Sequence, residues 1–153
     1  MNPKLEPALK LYDTDFALWI EQTAQLMRDH AFDQVDWENV IEEIESLGRS
    51  DKRALRSQVT RVIMHLLKWD YQPECRSNSW RGSIVEGHTQ IEELLQDSPS
   101  LKPYLAQVLA KCYGNAVEQA GAETGLPINT FPVECPYTID EVLRINDALR
   151  NFE

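Results

Sequence analysis

The apolar residues of this chain recur with the period of an α-helix, and almost none alternate with the period of a β-strand. The first segment, residues 13–30, has i, i+3, i+4, i+7 spacing on one face, formed by Phe16, Trp19, Ile20, Thr23 and Met27. Further stripes of this kind follow along the chain, and one of them includes Trp37, Val40, Ile41, Ile44 and Leu47. Because a half-buried strand would show a period of two, the pattern predicts an all-α fold.

Capping residues and glycines divide the first half of the chain into helices. Asp13 or Thr14 is predicted to cap the first helix, and Asp36 the second. Gly48 is predicted to end or kink the second helix, since Gly weakens a helix interior by about 1 kcal/mol relative to Ala. Ser50 would then cap a third helix that runs to about residue 70.

The second half of the chain is divided by prolines. Helices are predicted over residues 79–96 and 99–123, with Ser98 as the cap between them. Residues 126–137 carry three prolines and are predicted to form a loop that wraps one side of the fold, before Thr138 caps a last helix. The prediction is a bundle of five to six helices.

We expect the domain organisation to be simple. A length of 153 residues suits one domain. The predicted bundle domain covers residues 13–153, and residues 1–12, which contain two prolines, are predicted to form an N-terminal arm.

Several short strings of this sequence form a specific set, which is Tyr12-Asp13, Asp15-Phe16, Trp19, Asp36, Glu42-Glu43-Ile44-Glu45, Leu47-Gly48, His65-Leu66-Leu67-Lys68-Trp69, Pro73-Glu74, Arg76-Ser77, Trp80, Ser98-Pro99-Ser100-Leu101, Tyr113, Gly125-Leu126-Pro127, Phe131-Pro132 and Cys135-Pro136-Tyr137. Together these strings resemble a bacterial family, the domain-of-unknown-function family numbered 29. The resemblance covers about residues 10–145 and implies an all-helical bundle of single-domain size. The family has no established activity, so the resemblance implies no catalytic residue.

The composition argues against some classes of binding partner and indicates a cellular compartment. The 25 acids outnumber the 15 Lys and Arg residues, giving a net charge of -10, which argues against nucleic acid as a partner. No apolar run approaches the about 20 residues of a membrane span, and no signal-peptide pattern occurs, so we expect no membrane partner. Three widely spaced cysteines without a C-x-x-C predict neither disulfides nor a zinc ribbon. The expectation is a cytoplasmic bacterial protein.

The charges are distributed unevenly along the chain. Residues 1–48 carry a net charge of -8, residues 49–81 carry +5, and residues 82–153 carry -7. One interpretation is intramolecular pairing, in which the acids before Gly48 meet the bases after it across a turn. The alternative is binding of an anionic ligand or RNA through the basic helix of residues 49–68. The basic residues at its start are Arg49, Lys52, Arg53 and Arg56.

His65 lies in a dense group of polar and aromatic residues and is predicted to occupy the edge of an apolar stripe. In the structural interpretation, its ring donates to a backbone carbonyl or to Glu42 or Glu45. The alternative hypothesis is a metal-assisted or acid–base enzyme with a pocket around His65. Its candidate catalytic residues are His65, Lys68, Glu42 and Glu45.

The three histidines are the candidate metal ligands. His30, His65 and His88 fall on three different predicted helices, and no H-x-x-x-H or E-x-x-H pair accompanies them. Isolated ligands are a weak signal, so no metal and no other cofactor is predicted.

The leading functional hypothesis is an interaction or accessory module rather than an enzyme. Trp19, Trp37 and Trp69 lie on or beside apolar stripes and are predicted to be core, which leaves Trp80 and the nearby Arg76 as candidate interaction residues. An unknown protein and a second copy of the chain both stay open as partners.

Overall fold

The structure, a computed structural model, describes residues 11–150, except for the side chains of residues 144–148 and 150. It contains five α-helices, which are α1 (Phe16–Arg28), α2 (Trp37–Tyr71), α3 (Asn78–Asp97), α4 (Leu101–Thr124) and α5 (Ile139–Arg150). Residues 11–14 are also helical, and single 3₁₀ turns occur at Phe32–Gln34, Pro73–Cys75 and Ile128–Thr130. Residues 11–150 contain no strand, so the prediction of an all-α fold with about six helices is confirmed.

Side-chain caps explain where several helices begin. Asp15 caps α1, slightly later than predicted, by accepting a hydrogen bond from the Leu18 amide at 3.0 Å. Asp36 caps α2 and Thr138 caps α5 as predicted, since each accepts from the amide three residues ahead. The prediction for Ser98 is wrong, because α4 begins only at residue 101.

Helix α2 is continuous for 35 residues, so the predicted break at Gly48 and the predicted cap at Ser50 are wrong. The cost of one interior Gly, about 1 kcal/mol, is too small to end a helix without help from a proline or a left-handed residue. Arg49 also bridges this point, because its guanidinium lies 2.7 Å from Glu42 and 4.0 Å from Glu45. The acid–base pairs therefore form along one helix and not across a turn.

The chain forms two compact units, one ending at Arg49 and the other beginning at Ser50. The first unit has a small core of Trp19, Val35 and Val40. Tyr12 packs edge-on against Trp19 with ring centroids 4.9 Å apart, although the predicted arm included this residue. Residues 1–10 of that arm lie outside the described residues, and the single domain 13–153 stays a prediction.

Helix α2 departs from its predicted packing within the first unit. Of its apolar stripe, Val40 alone is buried, whereas Trp37, Ile41, Ile44 and Leu47 are exposed. Trp37 was predicted to be core, and this prediction is wrong. Exposure continues along the helix, since every residue from 47 to 54 is exposed.

The second unit contains the larger core, which helices α2 to α5 share. Leu55, Val59, Ile63, Ile84 and Leu105 are among its fully buried side chains. The loop of residues 126–137 forms only one 3₁₀ turn.

Two further contacts shape the second unit. Phe131 of the 126–137 loop is buried against Tyr71, with ring centroids 5.3 Å apart. Helices α2 and α3 approach closely at Gly87, where an added Cβ would lie 2.7 Å from Val62 Cγ2. None of the helices in the described part of the chain combines the length and apolar character needed to cross a membrane.

Candidate functional site

A polar cleft of about 630 Å³ lies within the second unit, between α2, α3 and α4. Helix α2 contributes side chains spaced three or four residues apart, which share one face of the helix. Helix α4 contributes a second such row, and α3 contributes Ser83. From α2 the lining includes Arg53, Arg56, Ser57, Thr60, Arg61, Met64 and His65, and from α4 it includes Asn115, Gln119 and Glu123.

Three arginines give the cleft its positive charge. Arg61 is paired with Glu86 of α3, with 3.4 Å between the guanidinium and carboxylate groups. Arg53 and Arg56 have no such neutralising partner, since no described carboxylate lies within ion-pair distance of either. Two guanidinium groups at the cleft are therefore available to an anion.

Tyr104 of α4 fixes the position of this basic edge. The Arg56 guanidinium donates a hydrogen bond to the Tyr104 hydroxyl. The Lys52 ammonium lies over the ring of the same tyrosine, 5.1 Å from its centroid. Because the partner of Arg56 is a hydroxyl and not a carboxylate, the positive charge is oriented without being cancelled.

His65 is half-buried at the cleft, at the edge of the apolar stripe as predicted. Its Nδ1 lies 2.9 Å from the carbonyl oxygen of Arg61, so Nδ1 carries the proton. Of the acceptors that the sequence suggested, the structure therefore shows the backbone carbonyl. Burial lowers the pKa of His65, and the nearby Lys68 cation acts in the same direction. The ring is neutral at pH 7, and its Nε2 can accept a hydrogen bond.

Lys68, Glu123 and Trp80 form a cluster at one end of the cleft. The Lys68 ammonium lies 2.6 Å from the Glu123 carboxylate and 4.5 Å from the centroid of the Trp80 ring. Only 7% of Lys68 is exposed, and its ammonium contacts the Glu123 carboxylate and the face of the Trp80 ring. Trp80 is half-buried and packs against the core, which leaves only part of its surface for a partner.

The other predicted site residues are not among those that line the cleft. Glu42 and Glu45 belong to the first unit and bond to Arg49. Arg76 donates from Nε to the carbonyl oxygen of Trp69 at 2.8 Å and lies over the ring of the same residue. The structure therefore brings His65 and Lys68 to one region without the acids that the sequence had assigned to them.

The three histidines occupy separate environments. His30 lies in the first unit, where its Nδ1 is 3.0 Å from the Arg28 carbonyl oxygen. His88 is buried in α3 and lines a second cavity of about 290 Å³ with residues of α3, Lys102 and Leu143. Within the residues that the structure describes, no three His, Cys, Asp or Glu side chains are placed to hold a metal ion together.

The cleft also contains residues that were not predicted from the sequence. Asn115, Gln119 and Glu123 lie four residues apart on α4 and face the basic row of α2. Their i, i+4, i+8 spacing is a polar stripe that a helical-period search for polar residues would have found.

Comparison with known proteins gives a family and no named relative. No curated protein and no solved structure gives a significant match to the chain. The family model that matches covers residues 11–146 and is described as a domain of unknown function, DUF29. The chain belongs to this family.

Proposed function

We propose that the cleft of the second unit binds a small organic anion, a molecule that carries a phosphate or carboxylate group. The observation that carries this proposal is the pair Arg53 and Arg56, whose guanidinium groups line the cleft without a carboxylate partner among the described residues. A guanidinium presents parallel N–H donors that match the oxygens of a phosphate or carboxylate.

The rest of the lining suits the polar body of such a ligand. Ser57, Thr60, Asn115 and Gln119 offer hydroxyl and amide groups that both donate and accept hydrogen bonds. The neutral His65 adds an acceptor for a ligand hydroxyl. The volume of about 630 Å³ lies within the roughly 300–1,000 Å³ of sites for small molecules.

The shape of the site favours a small molecule over RNA. Backbone recognition of RNA needs a basic groove that follows several phosphates. Here Arg53 and Arg56, the two guanidinium groups without a described carboxylate partner, lie at one cleft, and the α4 side contributes two amides and the ion-paired Glu123. The acid excess of the whole chain would also oppose a long polyanion.

An enzyme at the same cleft has less support. The predicted acids Glu42 and Glu45 bond to Arg49 instead of lining the cleft. Lys68 forms an ion pair with Glu123 and is not among the residues that line the cleft. Binding is therefore the function that the described side chains support best.

Isothermal titration calorimetry tests this proposal with pyrophosphate and citrate as probes. We expect at least one probe to bind with a 1:1 stoichiometry. Arg53→Gln should weaken that binding about tenfold, because a hydrogen bond to a charged group contributes about 1.5–3 kcal/mol.

Lys111→Gln is the matched control, because Lys111 is also exposed in the second unit but does not line the cleft. Its affinity for the probe should equal that of the wild type. Absence of binding for both probes at millimolar concentration, or equal loss in both variants, would contradict the proposal.

A further inference from the structure

The first unit carries an apolar surface that its own core does not use, the α2 stripe of Trp37, Ile41, Ile44 and Leu47. These four side chains are 46%, 53%, 64% and 68% exposed. Their spacing of i, i+4, i+7 and i+10 places them in one row along about three turns of helix. When a protein recognises an amphipathic helix, apolar side chains in such a row make the contacts.

Contacts near the start of α2 show how far the core of the unit extends along the same face, because Val40 lies between Ile44 and Leu47 on the helical wheel. Val40 is buried in the small core, and Glu43 accepts a hydrogen bond from the Tyr12 hydroxyl at 2.6 Å. These contacts fix the rotation of the helix about its axis. The small core covers this face at Val40, whereas Ile44 and Leu47, further along the same face, are presented to solvent by a helix that is already held in place.

Acids accompany the α2 stripe along the helix. Glu38, Glu42 and Glu45 each follow a stripe residue by one position, so they form a parallel row about 100° further round the helix. All three are exposed. Arg49 neutralises part of this row, but residues 11–49 still contain ten acids and only two arginines.

We propose that the α2 stripe binds a basic amphipathic helix of a partner protein. The apolar face of that helix would cover Ile41, Ile44 and Leu47, and its lysines or arginines would lie against the row of acids. This charge complementarity selects the occupant, because a second copy of the chain would bring one acidic row against another.

The experiment uses the full-length protein and two synthetic 18-residue amphipathic helices, one of Leu and Lys and one of Leu and Glu. Fluorescence anisotropy of the labelled peptides measures binding, and light scattering measures the mass of the protein alone. We expect the protein to be a monomer that binds the Leu–Lys peptide, in a salt-dependent manner, at least tenfold more tightly than the Leu–Glu peptide.

Ile44→Asp should weaken binding of the Leu–Lys peptide by about tenfold or more, since it removes a central apolar contact. Leu47→Ser is a second variant, a milder substitution that should also weaken binding of the Leu–Lys peptide. Val133→Asp is the matched control, because it adds the same negative charge at a residue that is 99% exposed and lies in the second unit. Circular dichroism confirms that each variant is folded.

Three results would overturn this proposal. The first is a wild-type dimer that Ile44→Asp dissociates, which would make the occupant a second copy. The second is equal affinity for the two peptides, which would show that the row of acids does not select a basic partner. The third is equal binding of the Leu–Lys peptide by Ile44→Asp and Val133→Asp, which would leave only the general attraction between a basic peptide and an acidic protein.

Discussion

Replacing Gly87 by Ala tests the closest approach between α2 and α3. The added methyl group would lie 2.7 Å from Val62 Cγ2, well inside the roughly 3.5–4.0 Å that carbon atoms prefer. Val62 is fully buried, and a β-branched side chain in a helix has essentially one rotamer, so the methyl cannot turn away. The two helices would have to move apart.

The expected change in the free energy of unfolding for Gly87→Ala is the difference between two opposing contributions. Ala improves helix propensity over Gly by about 1 kcal/mol, and overpacking a core costs about 1–3 kcal/mol. Gly87→Ala should therefore lower the free energy of unfolding by up to about 2 kcal/mol. Gly82→Ala, in the same helix with nothing within 4 Å of the added Cβ, should raise it by up to about 1 kcal/mol.

Urea denaturation monitored by circular dichroism at 222 nm measures both variants. The two should differ by about 1–3 kcal/mol, the size of the overpacking cost alone, and a thermal melt should separate them by about 2–4 °C for each kcal/mol. Val62→Ala removes the clashing methyl group, so Gly87→Ala should cost less in that background. If Gly87→Ala stabilises the protein as much as Gly82→Ala does, the close approach is refuted.

Three further predictions concern ionisable groups of the second unit. Glu123→Gln should lower the free energy of unfolding by about 1–2 kcal/mol in urea denaturation, a loss reduced by the partial exposure of Glu123, whereas Lys68→Met should cost less because it leaves no buried charge. Burial lowers the pKa of His65 below its usual 6.5, so the unfolded chain binds its proton more readily and the protein should lose stability as pH falls through 6.5. In the His65→Gln variant, the free energy of unfolding should therefore fall less between pH 7 and pH 5 than in the wild type. With a thiol-reactive dye, the exposed Cys75 should react first and Cys112 slowly, since burial shields the latter and raises its pKa; equal rates would contradict the burial.

The sequence was sufficient to predict the helical class and several helix ends. Periodicity reports which side chains share a face, and Asp36 and Thr138 cap helices through local contacts. The continuity of α2 was missed because the cost of Gly48 is comparable to the stabilisation by the ion pairs that span it. Contributions this small and opposite in sign do not allow a helix break to be predicted from the sequence.

Half of the candidate site could also be predicted. The basic row of α2 is local in sequence, and so is the hydrogen bond between His65 and a carbonyl one turn earlier. The facing row on α4 could not be placed, since periodicity does not tell which helices are neighbours. The ion pair of Lys68 with Glu123 joins residues 55 positions apart, and many other acids were equally eligible from the sequence.

The exposed residues 47–54 of α2 have a consequence for where the helix unfolds locally. Tertiary packing contributes most helical stability in proteins, and these eight residues have no buried side chain to provide it. Their amide protons should therefore exchange with deuterium much faster than those of the buried turns at Val59 to Leu67. Among the helical sites of residues 11–150, trypsin should cut first at Arg49, Lys52 or Arg53, in the middle of a helix, where proteases rarely cleave.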